Sequence, residues 1–169
     1  MAEGGCLCGA VRYWVEGPPL NADFCHCRLC QRAAGAPVVA WGTWPADRFA
    51  WTRGEPGSFA SSAKGERSFC PSCGTPLTFV DPTDPAQVDV TLASLDDPAA
   101  FPPGCHAWTM SRVPWLEIGD ELPRHTGPRK AGAAGHSSVT RSEASIKGAR
   151  FCPVTALAKA GFFGASPAV

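Results

Sequence analysis

In residues 10–16, AVRYWVE, hydrophobic and polar positions alternate: Val11, Tyr13 and Val15 fall on one side, Arg12, Trp14 and Glu16 on the other. A period of two marks a strand with one face in a core. Gly-Pro-Pro at 17–19 ends it. The same alternation runs through Val88, Val90 and Leu92 in QVDVTLASL (87–95). PVVAW (37–41) and PLTFV (76–80) are apolar runs of strand length, and RFAW (48–51) and GSFASS (57–62) are weaker candidates. HAWTMSRVPWLEI (106–118) reads as extended with a break at Pro114. Residues 24–35 read as a loop with one helical turn over 28–34. With about seven strands and no long helix, the pattern predicts an all-β fold.

Composition supports this. The 169 residues include 18 glycines and 17 prolines, which suit short strands and turns better than long helices. The pattern changes near residue 127. Large apolar side chains become rare in RKAGAAGHSSVTRSEASIKGAR (129–150), and such a segment buries too little surface to offset the entropy of ordering. The expected organisation is therefore a folded domain over 1–126 and a flexible, low-complexity tail over 127–169, with a short helix possible near 154–163. The overall formal charge is zero, but residues 1–126 are acidic and the tail basic. That balance argues against nucleic acid as the main partner of the domain. The start MAEGGCLCGA has no basic stretch followed by an apolar run, and no segment approaches the length of a membrane span. A cytoplasmic protein without membrane attachment is expected.

Nine cysteines in a reducing compartment need another explanation than disulfides. Seven form three tight groups: Cys6-Leu-Cys8-Gly, Cys25-His-Cys27-Arg-Leu-Cys30 and Cys70-Pro-Ser-Cys73-Gly. The outer groups offer two thiolates each. Each is followed by a glycine that can take the positive φ of a metal knuckle. Cys6, Cys8, Cys70 and Cys73 together suit a closed four-thiolate zinc site of the structural type, one that would cross-link a chain with a thin core. Cys25, Cys27 and Cys30 offer three ligands. Three protein ligands and an open position are the arrangement of a catalytic zinc. His26, His106 or Cys105 closing that site, or a redox trio, are the alternatives.

The elements GGCLCGAVRYWV, CHCRLCQRAAGAP, SSAKGERSFCPSCGTPL, VTLASLDDP and HAWTMSRVPWLEIGDELPR occur in this order over about residues 4–125. In that combination the chain resembles the glutathione-dependent formaldehyde-activating family, which includes centromere protein V-type proteins. The resemblance implies a β-tent of small antiparallel sheets, also found in methionine-R-sulfoxide reductases, knotted by the four-cysteine site. It implies two zincs per chain: a structural one on Cys6, Cys8, Cys70 and Cys73, and a labile catalytic one on Cys25, Cys27 and Cys30. The activity implied is that of a carbon–sulfur lyase. A small-molecule thiol, glutathione as co-substrate, adds to formaldehyde or another small aldehyde to give an adduct of the S-hydroxymethylglutathione kind.

Glutathione carries two carboxylates, so cationic groups are expected near the triplet; Arg28, Arg32, Arg67 and Arg112 are the candidates. Trp108 and Trp115 can wall a pocket, although tryptophans in a small domain are expected mostly in packing. His106 can serve as acid or base or be structural, and Ser61 and Ser62 can donate to a bound group or end a strand. Other readings are a zinc-stabilised binding module, a carrier of thiol adducts without turnover, and a sulfoxide reductase using Cys105.

Overall fold

The alternation around Tyr13 places that ring at the bottom of the core: Val11, Tyr13 and Val15 are buried, and so are Val88, Val90 and Leu92 from the second alternating run. In the computed structural model, which describes residues 1–63 and 65–128, these runs belong to two sheets. The strands are β1 (Ala2–Gly5), β2 (Arg12–Val15), β3 (Asn21–Cys25), β4 (Val39–Pro45), β5 (Phe49–Arg53), β6 (Gly57–Ser62), β7 (Gly65–Phe69), β8 (Pro76–Val80), β9 (Gln87–Thr91) and β10 (His106–Ala107). One helix, α1 (Arg28–Ala34), follows β3.

Strands β1, β2 and β5 form an antiparallel sheet of three. The other seven strands run in the order β10-β3-β4-β9-β8-β7-β6. Every pairing in this larger sheet is antiparallel except the edge pair β10 and β3, where His106 lies opposite Phe24 and Ala107 opposite Cys25. The core between the sheets is filled by Val11, Tyr13, Val15, Trp44, Leu77 and the β9 valines, with Cys6 and Cys70 at its margin. Trp44 is fully buried, and its indole N–H donates to the Gly17 carbonyl at 3.1 Å, satisfying the one polar group it brings inside. A smaller cluster of Cys25, Cys30, Val39 and Trp41 lies at the end of β3 and β4.

The all-β class and the helical turn at 28–34 agree with the pattern, and among the described residues ten strands stand where seven were expected. The added ones are β1, β3 and β7. The stretch 106–118 departs from expectation. It pairs for two residues only, then turns at Trp108, whose φ is 58°, into a 3-10 turn over Thr109–Ser111. A backbone in the left-handed region does not continue a strand. Of the tail expected from 127 onward, only Gly127 and Pro128 are described, and the helix expected near 154–163 lies outside the described residues. Among the described residues no helix is long and apolar enough to cross a membrane.

Candidate metal centres and active site

Cys6 and Cys8 follow β1, and Cys70 and Cys73 form the turn between β7 and β8. The fold brings the four sulfurs within 4.8 Å of one another and so ties the smaller sheet to the larger. Gly9 and Gly74, each after the second cysteine of its pair, have φ of 75°. That conformation lets the chain fold back: Gly9 N–H donates to the Cys6 carbonyl at 3.0 Å, and Gly74 N–H to the Cys70 carbonyl at 2.8 Å. The Val11 amide donates to the Cys6 sulfur at 3.2 Å. The Cys73 thiol, beside the Thr75 hydroxyl at 3.2 Å and backbone amides, is held down to about 5. The Cys6–Cys8 and Cys8–Cys70 sulfur distances are 3.5 and 3.7 Å. Four thiolates at about 2.3 Å from one zinc lie about 3.8 Å apart, so the donor set fits this metal in both type and spacing.

Cys25 ends β3, Cys27 caps the N-terminus of α1, and Cys30 sits in its first turn. A strand running into a helix places three thiols around one point, and their sulfurs lie within 4.8 Å of one another. The Cys27 sulfur accepts the Cys30 amide at 3.3 Å, the usual place of an N-cap oxygen. Hydrogen bonds from Cys25 and Cys30 pull the Cys27 thiol well down. The shared proton with Cys27, then Cys30 and burial, push Cys25 up. A cluster so coupled favours a cation in place of its protons. Among the described residues no fourth cysteine, histidine or carboxylate joins this group. His26, His106 and Cys105 therefore do not close it.

His26 points instead to another network. Its Nε2 lies 2.8 Å from Nδ1 of His106, and His106 Nε2 lies 3.0 Å from the Asp120 carboxylate. Asp120 is held below the usual carboxylate range, chiefly by the His106 hydrogen bond, and also pairs with Arg124 at 3.0 Å. Both imidazoles are buried, and burial with the neighbouring His106 pushes His26 down. Gln31 braces the same loop, donating to the carbonyls of His26 at 2.7 Å and Ser111 at 3.0 Å. Sequence reasoning singled out His106 but missed Asp120 and Gln31, although they lie inside the elements HAWTMSRVPWLEIGDELPR and CHCRLCQRAAGAP.

The triplet opens onto a cavity of about 490 Å³ lined also by Trp41, Ser62, Arg67, Phe79 and Trp108. Of the four candidate arginines, Arg28 and Arg67 line it. Arg67 Nη2 lies 3.4 Å from the Cys30 sulfur, a direct contact between a cation and the triplet. Arg32 faces a neighbouring cavity, and Arg112 is exposed. Ser61 donates to the Gly65 carbonyl at 3.1 Å, an ordinary turn bond, while Ser62 stands on the cavity wall. The tryptophans expected in packing are not core: Trp108 is 37% and Trp115 73% exposed. Cys105 is buried apart from both clusters.

A small β domain with one four-cysteine and one three-cysteine cluster, each of which could hold a metal ion, defines the class, and comparison with known proteins narrows it. The family model described as glutathione-dependent formaldehyde-activating enzyme matches residues 1–111. A Halomonas elongata protein, provisionally named a glutathione-dependent formaldehyde-activating enzyme, is 31% identical over 127 residues, covering 70% of this chain and 81% of that one. An uncharacterized lyase of Schizosaccharomyces pombe is 35% identical over 79 residues, 46% of this chain and 56% of its own. A crystal structure of a Rhodobacter sphaeroides protein shares the fold, with a TM-score of 0.50 at 22% identity over 72% of this chain and 98% of that one. The chain belongs to the glutathione-dependent formaldehyde-activating family.

Proposed function

We propose that the protein is a zinc-dependent carbon–sulfur lyase that joins a thiol such as glutathione to formaldehyde or another small aldehyde. The observation that carries this reading is the triplet of Cys25, Cys27 and Cys30: three clustered sulfurs, no fourth donor among the described residues, and a cavity in front. Family membership and the name of the Schizosaccharomyces pombe relative support the reaction class. In this reading Cys25, Cys27 and Cys30 hold a catalytic zinc, and Cys6, Cys8, Cys70 and Cys73 a structural one. A zinc ion on three thiolates supplies Lewis acidity that lets a thiol ionise near neutral pH.

The chain's own groups supply the rest. Arg67, on the Cys30 sulfur, offsets the negative charge that three thiolates concentrate. Trp41, Phe79 and Trp108 give the cavity an apolar part of its wall, which limits water beside the reacting carbon. In the addition, sulfur bonds to the carbonyl carbon and the C=O π pair moves to oxygen. The proton lost by the thiol ends on that oxygen, and nothing is oxidised or reduced. Asp23 and Asp89, carboxylates that line the same cavity, are the candidate carriers of that proton. The catalytic unit is the domain expected over 1–126 together with Gly127 and Pro128, because Trp108 N–H donates to the Gly127 carbonyl at 2.8 Å and Pro128 lines the cavity.

Exchange NMR of glutathione and formaldehyde tests this. Zinc-loaded protein should speed interconversion of free thiol and adduct beyond the spontaneous rate, and Cys27→Ser should abolish the gain. No gain over the spontaneous rate with saturable adduct binding would instead identify a carrier.

A further inference from the structure

Gln31 follows Cys30, the third sulfur of the triplet, in α1 and is buried. Its backbone N–H donates to the Cys27 carbonyl at 3.0 Å, and its side-chain Nε2 donates to the His26 carbonyl at 2.7 Å. The residue beside the third sulfur thus grips two consecutive carbonyls of the loop that carries the first two. Nε2 also donates to the Ser111 carbonyl at 3.0 Å. Ser111 ends the 3-10 turn and donates its N–H to the Trp108 carbonyl at 3.0 Å; both residues line the triplet cavity. On its other side, Gln31 Oε1 accepts from Arg28 Nη1. A side-chain amide has two donors on nitrogen and only acceptor capacity on oxygen, so the atom that faces two carbonyls is the NH2 and the atom that faces a guanidinium is the oxygen. All three neighbours of the side chain require the same orientation, and glutamine alone among side chains of this length meets it. An ionised glutamate would set an oxygen against two carbonyl oxygens.

The open site needs such a support more than the closed one does. A metal on Cys6, Cys8, Cys70 and Cys73 is held by protein on every side, and each pair has its own knuckle. The triplet has no fourth donor among the described residues. Its geometry has to be fixed from behind, through the backbone that carries the sulfurs. We propose that Gln31 is the positioning residue of the three-cysteine site: it locks Cys30 to the Cys25–Cys27 loop and ties both to the turn that carries Trp108. The proposal rests on the reading in which the triplet holds a metal.

The test is chelator titration of the full chain loaded with cobalt(II) in place of zinc. Thiolate charge-transfer bands follow each site's metal, ligand-field bands report its geometry, and Cys27→Ser identifies the triplet's share of both. Gln31→Glu should weaken cobalt binding at the triplet roughly ten- to hundredfold and shift its ligand-field bands, with the four-cysteine signal unchanged. Gln31→Met, similar in size but without the amide, should weaken the same site and is the variant to use if Gln31→Glu does not fold. A variant that is less stable to denaturant but keeps the triplet's affinity and bands overturns the proposal, because Gln31 would then only satisfy buried carbonyls. So does a variant that weakens both sites alike. One cobalt in the unaltered chain, with Cys27→Ser without effect, would remove the triplet metal and the proposal with it. A shifted triplet without accelerated adduct formation in the unaltered chain would leave the role of Gln31 standing and remove the lyase reading. Accelerated formation with a triplet unmoved by either Gln31 variant would do the reverse.

Discussion

Nε2 of His26 and Nδ1 of His106 lie 2.8 Å apart inside the protein, and together with the His106–Asp120 contact this fixes the tautomers of the two neutral rings. His106 Nε2 faces the Asp120 carboxylate at 3.0 Å, and an ionised carboxylate only accepts. The proton is therefore on His106 Nε2, which leaves Nδ1 as acceptor and makes His26 Nε2 the donor. The remaining nitrogen, His26 Nδ1, is buried with no hydrogen-bond partner. Nitrogen-15 NMR of the imidazoles should show both rings as the Nε2–H tautomer, and an Nδ1–H signal from His26 would contradict the assignment. Asp120→Asn keeps an acceptor for His106 and should be mild. Asp120→Ala strands a buried N–H and should cost about 1–3 kcal/mol in chemical denaturation.

The two cysteine clusters should respond differently to mutation. Cys8 belongs to the group that joins two sheets, and Cys27 to a group at one end of one sheet. Cys8→Ser should lose metal and the cooperative unfolding transition together, because metal binding at a cross-link is part of the folding free energy. Cys27→Ser should stay folded and lose about one metal equivalent of about two. Elemental analysis beside circular dichroism separates these outcomes. A Cys8→Ser protein that unfolds like the unaltered chain would show that the core alone holds the sheets together.

Much of this arrangement is legible in the chain, because its signals are local. The period-two burial of Val11, Tyr13 and Val15 and the positive-φ knuckle glycines Gly9 and Gly74 depend on neighbours a few residues away. Strand β1 carries no such signal. Its Gly4 is needed because a Cβ there would meet the Tyr13 hydroxyl at 2.4 Å, a clash visible only once β1 pairs with β2. The His106–Asp120 contact spans 14 residues whose regular structure is limited to β10 and a short 3-10 turn, and β10 exists only where His106 and Ala107 lie beside β3. Trp115 misled because composition reports how many tryptophans a chain has, not which of them the turn at 109–111 carries outward.

Tyr13 predicts an alkaline weakness. It is the chain's only tyrosine, fully buried, with its hydroxyl 2.7 Å from that of Ser94. Burial pushes its ionisation up to about 12. Between the usual value of about 10 and that raised value, the unfolded chain has released the proton and the folded chain has not. The unfolded state then binds fewer protons, so stability falls as pH rises through this window and levels off above it. The loss should total about 2–3 kcal/mol. Tyrosinate absorbance reports this single group, and Tyr13→Phe should remove its share of the pH dependence between 10 and 12. Ionisation of the folded protein near 10 would show that the ring is reached by water.

Trp108 is the only non-glycine at positive φ among the described residues, and its indole lines the triplet cavity while remaining 37% exposed. An L-residue held in the left-handed region costs roughly 1–2 kcal/mol. The Trp108 N–H···Gly127 bond at 2.8 Å and the Thr109 N–H···His125 bond at 3.0 Å pin the backbone there. If the ring serves the cavity rather than the core, Trp108→Gly should relieve that cost and leave stability within about 1 kcal/mol of the unaltered chain. Trp108→Val, β-branched at the same backbone angles, should lose about 1–2 kcal/mol more than the glycine variant. Both should bind S-methylglutathione several-fold more weakly, since the wall that faces the triplet is gone. Denaturation and calorimetry on the same preparations give the two readouts. A glycine variant that loses more than about 3 kcal/mol would make Trp108 a packing residue after all, because losses of that size come from buried aromatic rings.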